Sequence, residues 1–97
     1  MKTQPITIEN GRVTIRPSVN GVWLTQSQIA DLFGVFASAV SANIRSILKS
    51  GILDEDHVFR RTRSRNGNLV ERYDLEMITA LAFRLKSEKA EVFRKWI

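Results

Sequence analysis

The chain has 97 residues, of which 43% are hydrophobic and 26% are charged, and this composition fits one globular domain with one core. It has no cysteine and a single histidine, His57, so disulfide frameworks, thiolate zinc sites, cysteine nucleophiles and clusters of metal-binding histidines are excluded. No apolar stretch approaches the roughly 18 residues that span a bilayer, and residues 1–5 do not resemble the start of a signal peptide. We therefore expect a small, soluble, cytoplasmic domain, which is basic because its formal net charge is +5.

Residues 5–16 predict a β-hairpin. Asn10-Gly11 is the dipeptide that a two-residue type I′ turn favours, because both turn positions need a positive φ. Folding about this turn places the isoleucines and Val13 on one apolar face, with threonines and a Glu-Arg pair on the other. A second Asn-Gly dipeptide at residues 20–21 predicts another turn, and a short strand carrying Trp23 follows it.

A capping box predicts where the first helix begins. The Thr25 hydroxyl can accept a hydrogen bond from the amide of Gln28, whose side chain can reach back to the Thr25 amide. We therefore expect a helix over Gln26–Phe33. It ends at Gly34, because the chain must turn sharply there and glycine tolerates a positive φ.

The second helix is predicted over Ala37–Lys49, with Gly51 just beyond its end. Val40 and Ile44 recur at helical spacing on its buried face. Phe36 occupies the N-cap position, where serine or aspartate would be worth about 1 kcal/mol. We expect its ring to pack in the core, the alternative being an exposed aromatic side chain with a task of its own.

Two strands follow a polar turn at residues 54–56. They are predicted over Val58–Arg65 and Asn68–Tyr73, about a two-residue turn at Asn66-Gly67. Nearly all the excess charge lies here, because residues 57–73 hold five arginines against one glutamate, a net charge of +4.

Arginine presents a planar fork that suits phosphate oxygens, and a concentrated basic patch indicates an anionic polymer as partner. The predicted register also places Arg61 opposite Arg72. Like charges directly opposite each other destabilise a ribbon, and a phosphate backbone would relieve their repulsion. A solvated surface strand is the alternative interpretation.

Two more helices complete the predicted elements. Asp74 is a suitable N-cap for the first of them, and Ser87 for the second. We expect Trp23, Trp96 and Ile97 to face the core. The last helix lacks a stop signal after Ile97, so we expect the natural chain to continue.

A short helix, a glycine-bearing turn and a second amphipathic helix are the parts of a helix-turn-helix. A basic two-stranded ribbon after them, the wing, completes a winged helix. The predicted fold class is therefore α+β, a winged helix-turn-helix with an N-terminal β-hairpin and two C-terminal helices. The single domain 1–97 comprises the hairpin and strand (1–24), the helix-turn-helix (25–51), the basic wing (57–73) and the C-terminal helices (74–97).

Several segments between residues 20 and 97 carry a family resemblance in one unbroken order, namely Trp23–Gln26, Ile29–Val35, Gly51–Glu55, Tyr73–Ile78, Phe83–Ser87 and Phe93–Trp96. In these segments the chain resembles the RhuM-type virulence-associated proteins of bacteria. The resemblance implies a DNA-binding N-terminal domain of a longer protein, often encoded in mobile or accessory DNA, with regulation of transcription at such a locus as one role. The chain departs from the family most at residues 36–39, where polar and basic side chains are usual.

We expect the second helix and the wing to contact duplex DNA, chiefly through its phosphates. Arg45 and Lys49 can reach phosphate or guanine, and two serines on the same helix can make short polar contacts. The first helix presents free amides at its N-terminus to a phosphate. The candidate contact residues are Thr25, Gln26, Ser38, Ser41, Arg45, Lys49, Arg60, Arg61, Arg63 and Arg65.

An enzyme is not expected. His57 lies beside the acidic residues 54–56, but neighbouring polar loop residues usually form a solvated turn, and no second cluster offers a nucleophile or an orienting partner. We therefore expect no catalytic residue, metal, cofactor, membrane or small-molecule substrate, and we expect double-stranded DNA as the partner, with a homodimer as an option.

The rival hypothesis is a protein-interaction or dimerisation winged-helix module without autonomous DNA binding. DNA binding predicts that Arg45, Lys49 and the wing arginines line one continuous positive surface. Docking of a protein instead predicts an exposed apolar patch that includes Phe36, Ala39 or Ala42.

Overall fold

A computed structural model of the chain describes residues 5–16 and 21–97. These residues form a small antiparallel hairpin, a three-stranded antiparallel sheet with strand order β3-β5-β4, and five helices, where the sequence predicted four. The α+β class is thus confirmed. The elements are β1 (Ile6–Glu9), β2 (Arg12–Ile15), β3 (Trp23–Leu24), α1 (Gln26–Phe33), α2 (Ala37–Ser50), α3 (Glu55–Val58), β4 (Phe59–Arg63), β5 (Leu69–Asp74), α4 (Leu75–Ala82) and α5 (Glu88–Trp96).

The hairpin β1–β2 has the predicted register. Asn10 and Gly11 have φ values of 53° and 73°, as a type I′ turn requires, and Ile8 lies opposite Val13 with both side chains buried. The strand carrying Trp23 is also confirmed. The turn predicted just before it lies partly outside the described residues.

The capping box at the start of α1 is confirmed. The Thr25 hydroxyl accepts a hydrogen bond from the Gln28 amide (3.1 Å), and the Thr25 amide donates to the Gln28 side-chain carbonyl (2.9 Å). Helix α1 ends at Gly34, which has a left-handed φ of 66°. These local signals determine both ends of the helix.

Helix α2 extends one residue beyond the prediction, to Ser50. The chain bends by 112° between α1 and α2, across a turn of three residues, 34–36. The expectation that Phe36 packs in the core is wrong, because its side chain is 84% exposed. Val35 packs against the core from this turn instead, and successive residues of an extended turn cannot both face inward.

Residues 54–56 do not form a simple polar turn. The Asp54 carboxylate accepts a hydrogen bond from the Asp56 amide (3.0 Å) and so begins the short helix α3. One helical turn carries Val58 into the core, where it is fully buried. Strand β4 consequently starts at Phe59 rather than at Val58.

The two-residue turn predicted at Asn66-Gly67 is wrong. The loop holds three residues, 65–67, and is closed by hydrogen bonds from the Ser64 amide to the Asn68 carbonyl (2.7 Å) and from the Gly67 amide to the Ser64 carbonyl (2.9 Å). Gly67 has a φ of 88°, whereas the asparagine before it has no positive φ. This is a type I turn followed by a left-handed glycine, the usual three-residue hairpin loop.

The extra loop residue shifts the register of β4 against β5 by one residue. Arg61 lies opposite Glu71, and Arg60 lies opposite Arg72. The prediction that Arg61 faces Arg72 is therefore wrong in its residue number. A directly opposed arginine pair is nevertheless present in the hairpin, one position earlier on β4.

Asp74 and Ser87 cap α4 and α5 as predicted, with their side chains accepting from the Met77 amide (3.0 Å) and the Ala90 amide (3.1 Å). Helix α5 packs against α1, α4 and the first hairpin. At its centre, the Phe93 ring meets the Phe33 ring edge-to-face, with ring centroids 5.6 Å apart, and both side chains are fully buried.

Three apolar residues that were expected in the core lie at or near the surface. Trp96 is 51% exposed and Ile97 is 56% exposed, because both follow the last buried turn of α5. Trp23 is only partly buried. Among the described elements, no single helix has the length and apolar character to cross a membrane. Helices α1 and α2 reach that length and character only when they are taken together, and the chain bends by 112° between them.

Candidate nucleic-acid interface

Strand pairing sorts the arginines of the β4–β5 hairpin onto two faces. This hairpin with its loop, residues 59–74, is called the basic hairpin below. Directly opposed residues in an antiparallel pair project to the same face, and successive residues alternate. Arg61 therefore shares a face with Glu71, and Arg60 shares the other face with Arg72.

The Arg60–Arg72 pair, called the arginine pair, is held by neutral neighbours. The Arg60 guanidinium lies over the Trp23 ring, 4.2 Å from its centroid. Such stacking orients a guanidinium without neutralising its charge. The Arg72 Nη1 donates to the Thr62 hydroxyl (3.2 Å), which likewise leaves the positive charge in place.

No carboxylate compensates the arginine pair. Within the described residues the ion pairs are Arg61–Glu71 and Lys95–Glu91, His57 lies beside Asp54, and none of these contacts involves Arg60 or Arg72. The remaining residues of the chain, 1–4 and 17–20, include no aspartate or glutamate. Two positive charges thus stand opposite each other on one ribbon face without an acidic side chain of this chain to balance them.

Arg61 is in a different situation. Its Nε and Nη2 both donate to the same Glu71 carboxylate oxygen, at 3.2 Å and 2.9 Å, and both side chains are about half exposed. Because the ion pair lies in solvent, its contribution to stability is small. It does lower the positive potential on that face, so Arg61 is a weaker anion-binding candidate than its neighbours.

The tip of the basic hairpin carries two more arginines. Arg63 Nη1 donates to the Gly67 carbonyl (2.8 Å), which holds the guanidinium beside the loop. Arg65 lies exposed in the loop itself. Within the described residues neither makes an ion pair, so the tip and the arginine pair together present four uncompensated arginines.

Helix α2 presents a second polar group. Ser38, Arg45 and Lys49 are exposed, with the exposed Ala42 among them, and this spacing places all four on one side of the helix. Arg45 Nη1 donates to the Ser41 hydroxyl (2.8 Å), so Ser41 orients the arginine. The face is rich in small side chains, which allows a partner to approach the helix backbone closely.

The N-terminus of α1 offers less than expected. The hydroxyl and the amide of Thr25 are both engaged with Gln28 in the capping box, and Gln26 is only partly exposed. In the part of the chain that the structure describes, neither Thr25 nor Gln26 forms a hydrogen bond with the arginines of the basic hairpin or of α2. Thr25 therefore acts here in helix capping.

Two exposed or partly exposed cations lie outside the candidate contacts that the sequence indicated. Arg72 was counted in the charge of the segment and was expected opposite Arg61, but it was left out of the candidate contacts. Arg84 is exposed just after α4, and its Nη1 donates to the Ser46 hydroxyl of α2 (2.9 Å). No sequence pattern signals a contact between residues 38 positions apart.

The segment around His57 forms a small exposed cap. His57 Nδ1 lies 3.0 Å from the Asp54 carboxylate, and both side chains are mostly exposed. Across the parts of the chain that the structure describes, no three histidine, cysteine or acidic side chains are grouped in a way that could hold a metal ion.

Comparison with protein-family models, with curated proteins and with solved structures gives no match to this chain. The function is therefore inferred from the positions of the arginines and from the arrangement of α1 and α2.

Proposed function

We propose that the chain is a winged helix-turn-helix domain that binds duplex DNA chiefly through phosphate contacts. The basic hairpin is the wing, and α2 is the helix that enters the major groove. In this proposal Arg60, Arg63, Arg65 and Arg72 hold phosphates from the wing, while Arg45 and Lys49 contact DNA from α2. Regulation of a mobile or accessory locus, which the resemblance to the RhuM-type proteins implies, is part of the same proposal.

The α1–α2 pair supports the helix-turn-helix. The two helices meet through a three-residue turn that begins with the left-handed Gly34, and the chain bends by 112° there. Helix-turn-helix motifs join two helices at about 90–120° through three or four residues that often include glycine. The basic hairpin follows α2 in the chain after the short α3, in the order of a helix followed by a wing.

The arginine pair is the single observation that carries the proposal. Like charges directly opposite each other destabilise a hairpin by roughly 0.2–1 kcal/mol, and the contacts with Trp23 and Thr62 leave both charges in place. An anion placed between them would convert that repulsion into two charge-assisted contacts. Phosphates of a duplex supply such anions at regular spacing, and Arg63 and Arg65 at the tip of the hairpin offer two further contacts.

The experiment compares two variants with the same net charge. Both carry four substitutions, which lower the formal charge of the chain from +5 to +1. The hairpin variant is Arg60→Ala, Arg63→Ala, Arg65→Ala and Arg72→Ala. The control variant removes four exposed cations elsewhere and is Arg12→Ala, Arg16→Ala, Lys89→Ala and Lys95→Ala.

Each protein is titrated against a labelled duplex of random sequence at several salt concentrations. We expect the wild type to show a steep negative slope of log K against log salt, and the hairpin variant to lose about 0.9 of slope for each phosphate contact removed. The control variant should keep most of the slope. Equal losses in both variants, or no binding by the wild type at low salt, would overturn the proposal.

A protein-interaction module is the second candidate function. It is favoured by one observation, the 84% exposure of Phe36 at the start of α2, with the exposed Ala42 further along the same helix. Exposed apolar patches on small domains often mark partner surfaces. Failure of the wild type to bind the duplex, with a folded chain, would favour this candidate.

A further inference from the structure

An open groove lies beside the N-terminal end of α2. Phe36 and Ala39 line one side of it, and Arg84, Leu85 and Lys86 line the other. Leu85 is buried and gives the groove an apolar floor, whereas Phe36 is 84% exposed. The groove can therefore take an apolar side chain from outside the molecule.

The fold gives no reason for a phenylalanine at this position. Phe36 is the N-cap residue of α2, and its side chain makes no hydrogen bond to the helix amides. A serine or an aspartate at this position would accept such a bond. It is also the most exposed of the large apolar side chains that the structure describes. Phe36 therefore neither caps its helix nor fills the core, and its exposed ring is available for contact with a partner.

The charge around the groove selects the chemistry of that partner. Arg84 and Lys86 are exposed cations on its rim, and no acidic residue lines it. Arg84 is engaged only with the neutral Ser46 hydroxyl, so its charge is uncompensated within the described residues. An apolar side chain followed by acidic side chains would complement both the floor and the rim.

The chain itself carries such a segment at the other end of α2. Ile52 is 73% exposed, and residues 54–56, the one run of three consecutive acidic residues in the sequence, are all exposed. Helix α2 has 14 residues, so about 20 Å separates this segment from the groove of the same molecule. The segment can therefore reach a groove only in a second copy.

We propose that the chain forms a closed dimer in which Ile52 and the acidic residues 54–56 of each copy occupy the groove of the other. A two-fold axis across the middle of α2 exchanges its two ends, so that both contacts form at once and no groove is left open for a third copy. This proposal does not depend on DNA binding, and its test contains no DNA.

The first test is sedimentation equilibrium of the wild type and of Phe36→Ser, over the micromolar-to-millimolar range. We expect the wild type to be in a monomer–dimer equilibrium that weakens with salt, because the rim contacts are electrostatic. Phe36→Ser should remain monomeric. Since serine is a good N-cap, the same variant should melt at an equal or higher temperature, and loss of the dimer cannot then be ascribed to unfolding.

The second test reverses one charge on each side of the contact. Lys86→Glu alone and Glu55→Lys alone should each weaken the dimer at least about tenfold, since like charges then meet in both contacts. In a mixture of the two variants, the reversed groove of one meets the reversed acidic segment of the other, and the second contact is unchanged. The mixture should therefore recover the wild-type dimer, while Lys89→Glu, an exposed lysine outside the groove, should leave it intact.

The contradicting outcomes are distinct. A wild type that stays monomeric throughout, or a Phe36→Ser variant that dimerises as well as the wild type, overturns the proposal. A mixture of the charge-reversed variants that stays monomeric excludes the exchanged contact. Assemblies larger than a dimer exclude the closed two-fold arrangement.

Discussion

Two neighbouring arginines of β4, Arg60 and Arg61, contact different groups because successive residues of a strand project to opposite faces. Arg61 faces Glu71 and is held in an ion pair at 2.9 Å, whereas Arg60 faces Arg72 and stacks on Trp23. Both are exposed arginines of the same segment. Strand alternation alone assigns one of them to a compensated face and the other to an uncompensated one.

This difference predicts a gain of affinity from Glu71→Gln. The substitution removes the only acidic side chain of residues 57–73 and releases Arg61 for phosphate contact. We expect a several-fold higher affinity for duplex DNA at low salt, with the salt slope steeper by up to about 0.9. The matched control is Glu91→Gln, which releases Lys95 on α5 by the same change of charge. An equal gain from the control would show that only net charge matters.

The turn between α1 and α2 determines how these two helices are oriented. Gly34 has a φ of 66°, and its amide donates to the Asp31 carbonyl at the end of α1. A Cβ added to Gly34 would meet no atom within 4 Å. A loss of stability on replacing Gly34 would therefore come from the strained backbone conformation and not from steric crowding of the new side chain.

Gly34→Ala should lower the free energy of unfolding by about 1 kcal/mol, because an alanine in the left-handed region is strained. Gly34→Asn should cost less, since asparagine tolerates this region better. Urea unfolding of the three proteins measures both differences. A loss from asparagine as large as that from alanine would mean that the backbone conformation is not the cause.

The residues that cap the helices could be predicted from the sequence, whereas the length of the loop in the basic hairpin could not. Capping by Thr25, Asp74 and Ser87 depends on residues three positions apart, so the sequence contains the whole interaction. The Asn-Gly dipeptides at 10–11 and 66–67 look alike, yet the first forms a two-residue turn and the second belongs to a three-residue loop. The choice depends on how the strands are held by the rest of the fold, which a dipeptide does not encode.

Burial of single apolar residues at the ends of helices was the other failure. Phe36 and Trp96 were expected inside, but Phe36 is the N-cap residue before the first turn of α2, and Trp96 follows Phe93, the last buried residue of α5. The segment that carries the candidate site could be predicted, because the net charge of residues 57–73 follows from the sequence alone. Its central pair, Arg60 with Arg72, required the register, which follows from tertiary structure.

At the scale of the whole molecule, one core joins the first hairpin, the helices and the sheet. Phe93 of α5 contributes a fully buried ring that contacts Phe33 of α1 and the ring of Trp96. Through this contact the C-terminal helix holds the α1–α2 pair in place. The orientation of α2 relative to the basic hairpin thus depends on residues that lie far from either surface.

Phe93→Ala should cost about 3–5 kcal/mol, a large part of the roughly 5–15 kcal/mol by which such a domain is stable. Phe83→Ala is the matched control, because Phe83 is 63% exposed just after α4 and should change stability by less than about 0.5 kcal/mol. Chemical denaturation followed by tryptophan fluorescence compares the two. Similar losses from both substitutions would contradict the assignment of Phe93 to the centre of the core.

In the proposed function, the arginine pair weakens the free domain slightly and binds phosphate. The most direct measurement is made on Arg72→Gln, which removes the charge that lies opposite Arg60 and keeps an uncharged polar side chain at this position. We expect an equal or higher melting temperature for the free variant, and a salt slope for duplex binding that is shallower by about 0.9. The control, Arg16→Gln, removes an exposed arginine at the end of β2 and should leave the slope unchanged. A variant that melts at a lower temperature and binds DNA with the wild-type slope would mean that the arginine pair stabilises the fold and does not bind phosphate.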